Sequence, residues 1–274
     1  MSDTFQCPPG RVVVTTWGSI LADTCHCLVS ARAYCERANL SNIEWQFVQG
    51  TLIDKTRNHA MRQMLASPAQ WLLFIDADMS WAEDSVHRML DTAYRTHPWV
   101  DVLGGYCTLR QPPHLPTMDT GTGTWESHFP GQGVVEVMRT GAAFLLIKRH
   151  VAERIPDPWF ALRIPMRPIN AIAEVDTFCR TIFDGTNPLR GDYWDAMVKA
   201  ARLHHSTAEE PYVAAEVGED SSFCDRVTGA GMRIAVNTDI EVRHWTTEAK
   251  DWRDHKKCMD ESAKQQRQMA GVFG

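Results

Sequence analysis

Five consecutive apolar residues, Trp71-Leu72-Leu73-Phe74-Ile75, run directly into Asp76-Ala77-Asp78, and this stretch constrains the fold more than any other. A strand buried on both faces reads as a continuous apolar run, and open α/β sheets hold their ligands just beyond the carboxyl ends of such strands. Asp76 and Asp78 therefore stand where a metal or a substrate would sit. Ser80 and Glu83 have the spacing of a capping box, and Val86, Met89, Leu90 and Ala93 recur at helical spacing, so strand, acidic turn and helix is the local expectation. An acidic pair of this spacing is common by itself. Its structural alternative is a turn-forming Asp followed by an Asp that helps to cap the next helix.

The flanking sequence decides how the pair is set. Arg11 to Trp17 is β-branched and apolar, bounded by Pro8-Pro9-Gly10 and Gly18, and predicts a first strand whose end supplies Thr15, Thr16 and Trp17. Leu21, Cys25, Leu28 and Cys35 fall on one face of a helix ending near Asn39, and Trp45 to Val48 predicts a second strand. Asp54 is placed to cap a helix whose inner face is Ala60, Met61, Met64 and Leu65, with Arg57 and Asn58 in its first turn and Pro68 beyond its end. Strands alternating with helices predict a largely parallel sheet with right-handed crossovers.

Beyond the capped helix, Val100 to Gly105 predicts another strand, and residues 109 to 133 a long loop rich in Pro, Gly and Thr. Gly104, Gly105 and Gly141 could let backbone approach a ligand, although glycine in a strand can equally mark a bulge. Val134 to Met138 and Ala142 to Lys148 are strand-like, and Arg149 to Ile155 starts a short helix. Residues 156 to 216 are Pro-rich and then ambiguous, with a helical patch near Tyr193 to Leu203 and the pair His204-His205. Glu219 to Arg226 opens a helix closed by Gly229 or Gly231. Ile234 to Val236 and Ile240 to Val242 predict two strands with His244 just past the second, and the stretch from Thr247 reads as a charged helix or frayed end.

Composition narrows the function classes. With 274 residues, 44% hydrophobic and 23% charged, the chain reads as an ordinary globular one. No basic-then-apolar leader and no run near ~18 apolar residues is present, so a cytoplasmic protein without membrane contact is expected. Eight scattered cysteines without a C-x-x-C argue against a zinc ribbon or a disulfide framework. A net charge of −6 gives no global attraction for nucleic acid. Ten tryptophans could serve the core or stack on sugar rings and bases.

In this order and spacing, LLFIDAD at 72 to 78, TRN at 56 to 58, RTGAAFLLIKRHV at 139 to 151 and GEDSSFCDRVTGAGMRIAVNTDIEVRH at 218 to 244 make the chain resemble the GT-A class of nucleotide-sugar glycosyltransferases, particularly small soluble ones of bacterial and phage origin. The resemblance implies a Rossmann-like, mostly parallel sheet flanked by helices with a less regular acceptor-side insertion. Residues 1 to 155 would form the donor-binding half and 156 to 274 the acceptor-side half of one continuous domain. It also implies Mn²⁺ or Mg²⁺ held by Asp76, Asp78 and His244, and a nucleotide-sugar donor, a UDP-sugar above all. That donor would lie against Thr15, Thr16, Trp17, Arg57, Asn58, Asp76 and Ala77, with Glu219-Asp220 by the acceptor.

The chemistry of these residue types agrees with the resemblance. A diphosphate leaving group gathers negative charge, which a hard divalent ion on carboxylates stabilises without proton transfer; an imidazole ligand tilts the choice toward Mn²⁺. Asp220 would take the acceptor's proton in an inverting transfer with Glu219 orienting it, a retaining transfer remaining open. Each residue also has a structural alternative: a surface ion pair for Arg57, a capped histidine for His244, strand propensity for Thr15 and Thr16, and helix-dipole capping for Glu219-Asp220. The aromatic and basic residues Trp159, Phe160, Arg163, Arg167, Tyr193 and Trp194 are candidates for an acceptor side formed with the 109 to 133 loop. The acceptor would be a glycan, a small molecule, or an extruded hydroxymethylated DNA base. Competing readings are a haloacid-dehalogenase-type phosphatase with Asp76 as nucleophile and a non-catalytic nucleotide-sugar or polysaccharide binding module. A Rossmann dehydrogenase is disfavoured because Trp17-Gly18-Ser19 stands where G-x-G-x-x-G would begin.

Overall fold

Successive side chains of a strand point to opposite faces, and this divides the apolar run at 71 to 75 between two cores. Leu72 and Phe74 pack in one hydrophobic cluster while Trp71, Leu73 and Ile75 pack in the other. The computed structural model describes residues 6–50, 52–110, 112–122, 128–161, 166–168, 212–214, 218–245 and 249–250, with positions 253, 256, 257 and 260. Its first part comprises β1 (Gly10–Thr16), α1 (Ala22–Arg37), β2 (Ile43–Gln49), α2 (Ile53–Leu65), β3 (Trp71–Asp76), β4 (Met79–Trp81) and α3 (Ser85–Asp91), the last continued by a π-helical turn at Thr92–Thr96. There follow β5 (Val102–Cys107), β6 (Met118–Asp119), β7 (Val134–Val137), β8 (Arg139–Thr140), β9 (Phe144–Lys148) and α4 (Arg149–Arg154). Then come β10 (Met166–Pro168), β11 (Tyr212–Ala214), α5 (Glu219–Gly229), β12 (Ile234–Trp245) and β13 (Ala249–Lys250).

The main sheet runs β13-β12-β5-β9-β3-β1-β2, with β4 and β7 also paired to β12. β1 is parallel to both β2 and β3, β12 is parallel to β5, and β9 lies antiparallel between β3 and β5. β2, β1, β3, β5 and β12 thus share one direction. This is the mostly parallel α/β sheet, flanked by helices, that the alternating pattern predicts. One core lies under α2, α4 and α5 and the other under α1 and α3. Residues 1–161 with 219–274 form one compact unit, and residues 162–218 form another, in which β10 and β11 pair antiparallel. Arg163, Tyr193, Trp194, the stretch to Leu203 and His204-His205 lie outside the described residues, as does the side chain of Arg167 in β10. Among the described residues no helix is long and apolar enough to cross a membrane.

Several local expectations are corrected. The buried face of α1 is Thr24, Leu28, Ala31 and Cys35, with Cys25 exposed. The Thr24 hydroxyl reaches the Ala77 and Met79 carbonyls at 3.0 and 2.7 Å, and this polar anchor turns the helix away from its apolar pattern. Asp54 is not the cap of α2, which starts at Ile53 without a side-chain cap. Ser80 and Glu83 form no capping box: Ser80 belongs to β4, which pairs with β12, and its Oγ accepts from Trp245 Nε1 at 2.9 Å, while Glu83 pairs with Arg37. The two strands expected at 234 to 242 are one strand, β12, with a register shift between Asn237 and Glu241. Asn237-Thr238-Asp239 resembles a turn in sequence, but Thr238 is fully buried and its hydroxyl donates to the Gly133 carbonyl at 2.9 Å. β13 extends the sheet within the stretch expected to be a helix or frayed end.

Gly104 and Gly105 serve packing rather than ligand approach. A Cβ at Gly105 would stand 2.9 Å from Val242 and 3.0 Å from Phe144, and one at Gly104 would stand 3.0 Å from Thr140. Trp159 and Phe160 are likewise core, not acceptor-side, residues, at 3% and 0% exposure. Phe160 stacks on Phe223 at 4.5 Å, and Trp159 Nε1 donates to the Ala152 carbonyl at 2.9 Å. Phe160→Ala should therefore lower stability by about 3–5 kcal/mol, as expected for truncating a packed aromatic. Urea unfolding checks this, and a variant of wild-type stability would return Phe160 to a binding role.

Candidate active site

The parallel strand ends converge on one edge of the sheet, and a cavity of about 710 Å³ opens there, a size ordinary for small-molecule and cofactor sites. β1 contributes Thr15 and Thr16, with Trp17 just beyond; β3 and the turn after it contribute Asp76, Ala77 and Asp78. α2 contributes Arg57, the start of α5 contributes Glu219 and Asp220, and β12 contributes His244 and Trp245. Of the residues expected to bind donor or metal or to act on the acceptor, Asn58 does not join the lining. Its amide is occupied on both sides by Phe160, donating to the carbonyl at 2.6 Å and accepting from the N–H at 2.9 Å.

Asp76 sits at the centre. Its Oδ1 accepts from Thr15 Oγ1 at 2.7 Å and from Arg57 Nη2 at 2.9 Å, and Oδ2 is 3.2 Å from the same nitrogen. Arg57 also donates through Nη1 to Glu219 Oε1. The Arg57 side chain is 4% exposed, which excludes a surface ion pair. Its guanidinium lies 5.6 Å from the Phe160 ring centroid and 6.0 Å from that of Phe74. Burial works against this charge, but Asp76, Glu219 and Asp220 together raise the Arg57 pKa above its usual value. Burial pushes the Glu219 carboxyl up from the ordinary range, with Arg57 opposing and Asp220 adding to the rise. Asp220 accepts from the Ser221 backbone N–H at 2.7 Å at the start of α5.

His244 comes from β12, where it pairs in register with Met79 beside the acidic turn. Nδ1 is 2.7 Å from the Thr108 carbonyl and 3.4 Å from Cys107 Sγ. With an Nδ1 proton directed to that carbonyl, Nε2 is the nitrogen that either carries a second proton or, without it, ligates a cation. Burial disfavours the charged ring, yet Cys107, the Thr108 carbonyl and Asp76 outweigh it and raise the pKa to about 9. Asp78 is paired with Arg110. Arg110, Cys107 and Thr117 were not singled out in the sequence, although all belong to β5 or the segment that follows it, and β5 is a parallel strand ending at the same sheet edge.

Two carboxylates and an imidazole with its Nδ1 already engaged suit a hard divalent ion in kind. Among the described residues, however, no three His, Cys, Asp or Glu side chains are grouped to hold a metal, and Arg57 and Arg110 occupy the two carboxylates.

No family model matches the chain, and no curated protein matches its sequence. Among solved structures, A197 from STIV superposes over 90% of this chain and 91% of that one, with a TM-score of 0.55 at 17% identity. The fold is shared. S. aureus TarS 1-349 in complex with UDP-GlcNAc aligns over 54% of this chain and 48% of that one, at 14% identity and a TM-score of 0.35. A glycosyltransferase involved in the glycosylation of the major capsid of PBCV-1 aligns over 56% and 70%, at 9% identity and a TM-score of 0.28. The last two are too distant to add to the fold assignment.

Arg57→Met leaves two carboxylates at a buried position without their counter-charge, and should cost about 3–5 kcal/mol in chemical unfolding. Glu219 gives a signed pH test. Its folded pKa is raised, so its contribution to stability is lost as pH climbs from the unfolded value through the folded one. Glu219→Gln does not titrate, so the stability difference between variant and wild type should move in the variant's favour across that acid window and level off above it. A difference that is flat or moves the other way would show that Glu219 is not desolvated.

Proposed function

We propose that the chain is a nucleotide-sugar glycosyltransferase that moves a sugar from a uridine diphosphate donor to an acceptor hydroxyl. The observation that carries this reading is the gathering, at one strand-end cavity, of the Asp76-Asp78 pair with Glu219-Asp220 at the start of a helix from a distant part of the chain. In this reading the first pair serves the departing diphosphate through a cation and the second pair serves the acceptor hydroxyl.

In this reading Asp76, Asp78 and His244 would hold a divalent ion, Mn²⁺ or Mg²⁺, whose chemistry is to neutralise charge on the diphosphate. Thr15, Thr16 and Ala77 frame the nucleotide side. Trp17, 74% exposed at the cavity rim, offers an indole face for a base or sugar ring. Arg57 acts indirectly: with its guanidinium bound by Asp76 and Glu219, it orients both carboxylates instead of touching the donor. Asp220 takes the proton of the acceptor hydroxyl as that oxygen attacks the anomeric carbon, and the electron pair of the breaking bond leaves with the diphosphate. The product is then inverted. The acceptor is a hydroxyl of a glycan, a small molecule or a hydroxymethylated base in DNA.

Calorimetric titration with UDP, with and without Mn²⁺, tests the donor half: binding should require the ion and weaken in Asp78→Ala. Asp220→Asn should keep UDP affinity and lose ~10²- to 10⁴-fold in donor hydrolysis or transfer, as loss of a general base does. An active Asp220→Asn removes the base assignment, and a product of retained anomeric configuration by NMR removes inversion. Tight UDP binding without turnover on any acceptor, hydroxymethylated DNA included, would instead mark a binding module.

A further inference from the structure

The main sheet ends differently at its two sides. β13 forms one side with two residues, whereas β2 forms the other with seven and is hydrogen-bonded, among the described strands, to β1 alone. An edge strand carries a row of unpaired N–H and C=O groups, which chains usually guard with lysine, proline, a bulge or a very short strand. β2 has none of these guards. It reads Ile-Glu-Trp-Gln-Phe-Val-Gln and follows β1 from Gly10↔Ile43 to Thr16↔Gln49 without a register shift. Its one charged residue, Glu44, is paired with Arg11 at 2.9 Å.

The two faces of β2 are covered unequally. On one, α2 reaches the strand through Gln63, whose Oε1 accepts from Gln46 Nε2 at 2.7 Å. On the other, Trp45 and Phe47 stand in register with Val12 and Val14, over the core beneath α1. Trp45 is partly buried against that core, but Phe47 is 58% exposed. A strand edge with an open apolar face is satisfied by another extended backbone that also brings apolar side chains.

The side chains select which backbone. Antiparallel pairing with β2 of a second copy, about a two-fold axis at Gln46, aligns all seven residues of both strands. It sets Trp45 of each copy opposite Phe47 of the other, on the open face, and Glu44 opposite Val48, so no like charges meet. An axis at Glu44 would bring the two carboxylates together and leave the end of the row unpaired. Two-fold pairing also uses the same edge of both copies, so assembly stops at two.

We propose that β2 is a homodimerisation edge at which two copies join their sheets antiparallel about Gln46. The strands of the two copies then run in opposite directions, and their cavities lie at opposite ends of the joined sheet. The dimer is independent of the reaction assigned to the cavity.

Sedimentation equilibrium of the full chain across the micromolar range should give twice the mass of one chain. Phe47→Asp, with its fold checked by circular dichroism, should weaken association about tenfold or more, as loss of a central interface aromatic does. Met138→Asp puts the same charge at another exposed apolar position, between β7 and β8, and should leave the mass unchanged. Register is read by cross-linking with diamide as oxidant, wild type setting the background from the native cysteines. Gln46→Cys should form a disulfide across the axis, where facing Cα atoms of an antiparallel pair lie about 4.5–5.5 Å apart. Glu44→Cys should not, because it faces Val48. A monomer at every concentration overturns the proposal. So does a dimer that Phe47→Asp leaves undiminished, or a Gln46→Cys chain that cross-links no more than Glu44→Cys.

Discussion

The site depends on a guanidinium that is almost wholly buried. Arginine stays charged at any physiological pH, and a buried unpaired charge costs several kcal/mol, so burying Arg57 obliges the chain to bring anions to it. The two that come are Asp76, from the end of β3, and Glu219, from the start of α5 and 162 positions away from Arg57 in the chain. That requirement joins the acidic turn to the second acidic pair. Neighbouring contacts keep Arg57 where it is: Phe74 and Phe160 face the guanidinium, and Asn58, one residue on, brackets the backbone of Phe160. The same α2 turn thus fixes two of the carboxylates that line the cavity.

What was legible in the sequence is what is encoded locally. β1 and β3 are short apolar runs with clear punctuation, and their ends place Thr15, Asp76 and Asp78 at one sheet edge because parallel strands share a direction. The start of α5 was legible because acidic residues precede an amphipathic run. The failures come from contacts between distant segments. Thr24 looks like a polar interruption of a helix face until the Ala77 and Met79 carbonyls are beside it. Asn237-Thr238-Asp239 looks like a turn until Thr238 is buried against Gly133. Trp159 and Phe160 look like a ligand platform, since aromatic residues suit a core and a sugar equally well and only burial tells them apart.

Arg57 and Asn58 illustrate the limit most sharply. Both occur in the same three-residue motif, and both read as donor contacts by resemblance to glycosyltransferases. In the structure each is held by protein partners, although the buried Nε of Arg57 has none among the described residues. Asn58 binds the Phe160 backbone, and Arg57 binds two acidic side chains. A motif can therefore mark a site through residues that build its walls, while a residue outside every motif, Arg110, is the guanidinium facing solvent at the mouth.

Charge neutrality links these observations to how such a cavity could work. Asp76 and Glu219 share one guanidinium and Asp78 holds another, so in this arrangement the acidic ligands are largely satisfied by the protein itself. Neutralisation lets four carboxylates stand around one cavity without repelling each other apart. It also means that a divalent cation reaching Asp78 must displace a positive charge.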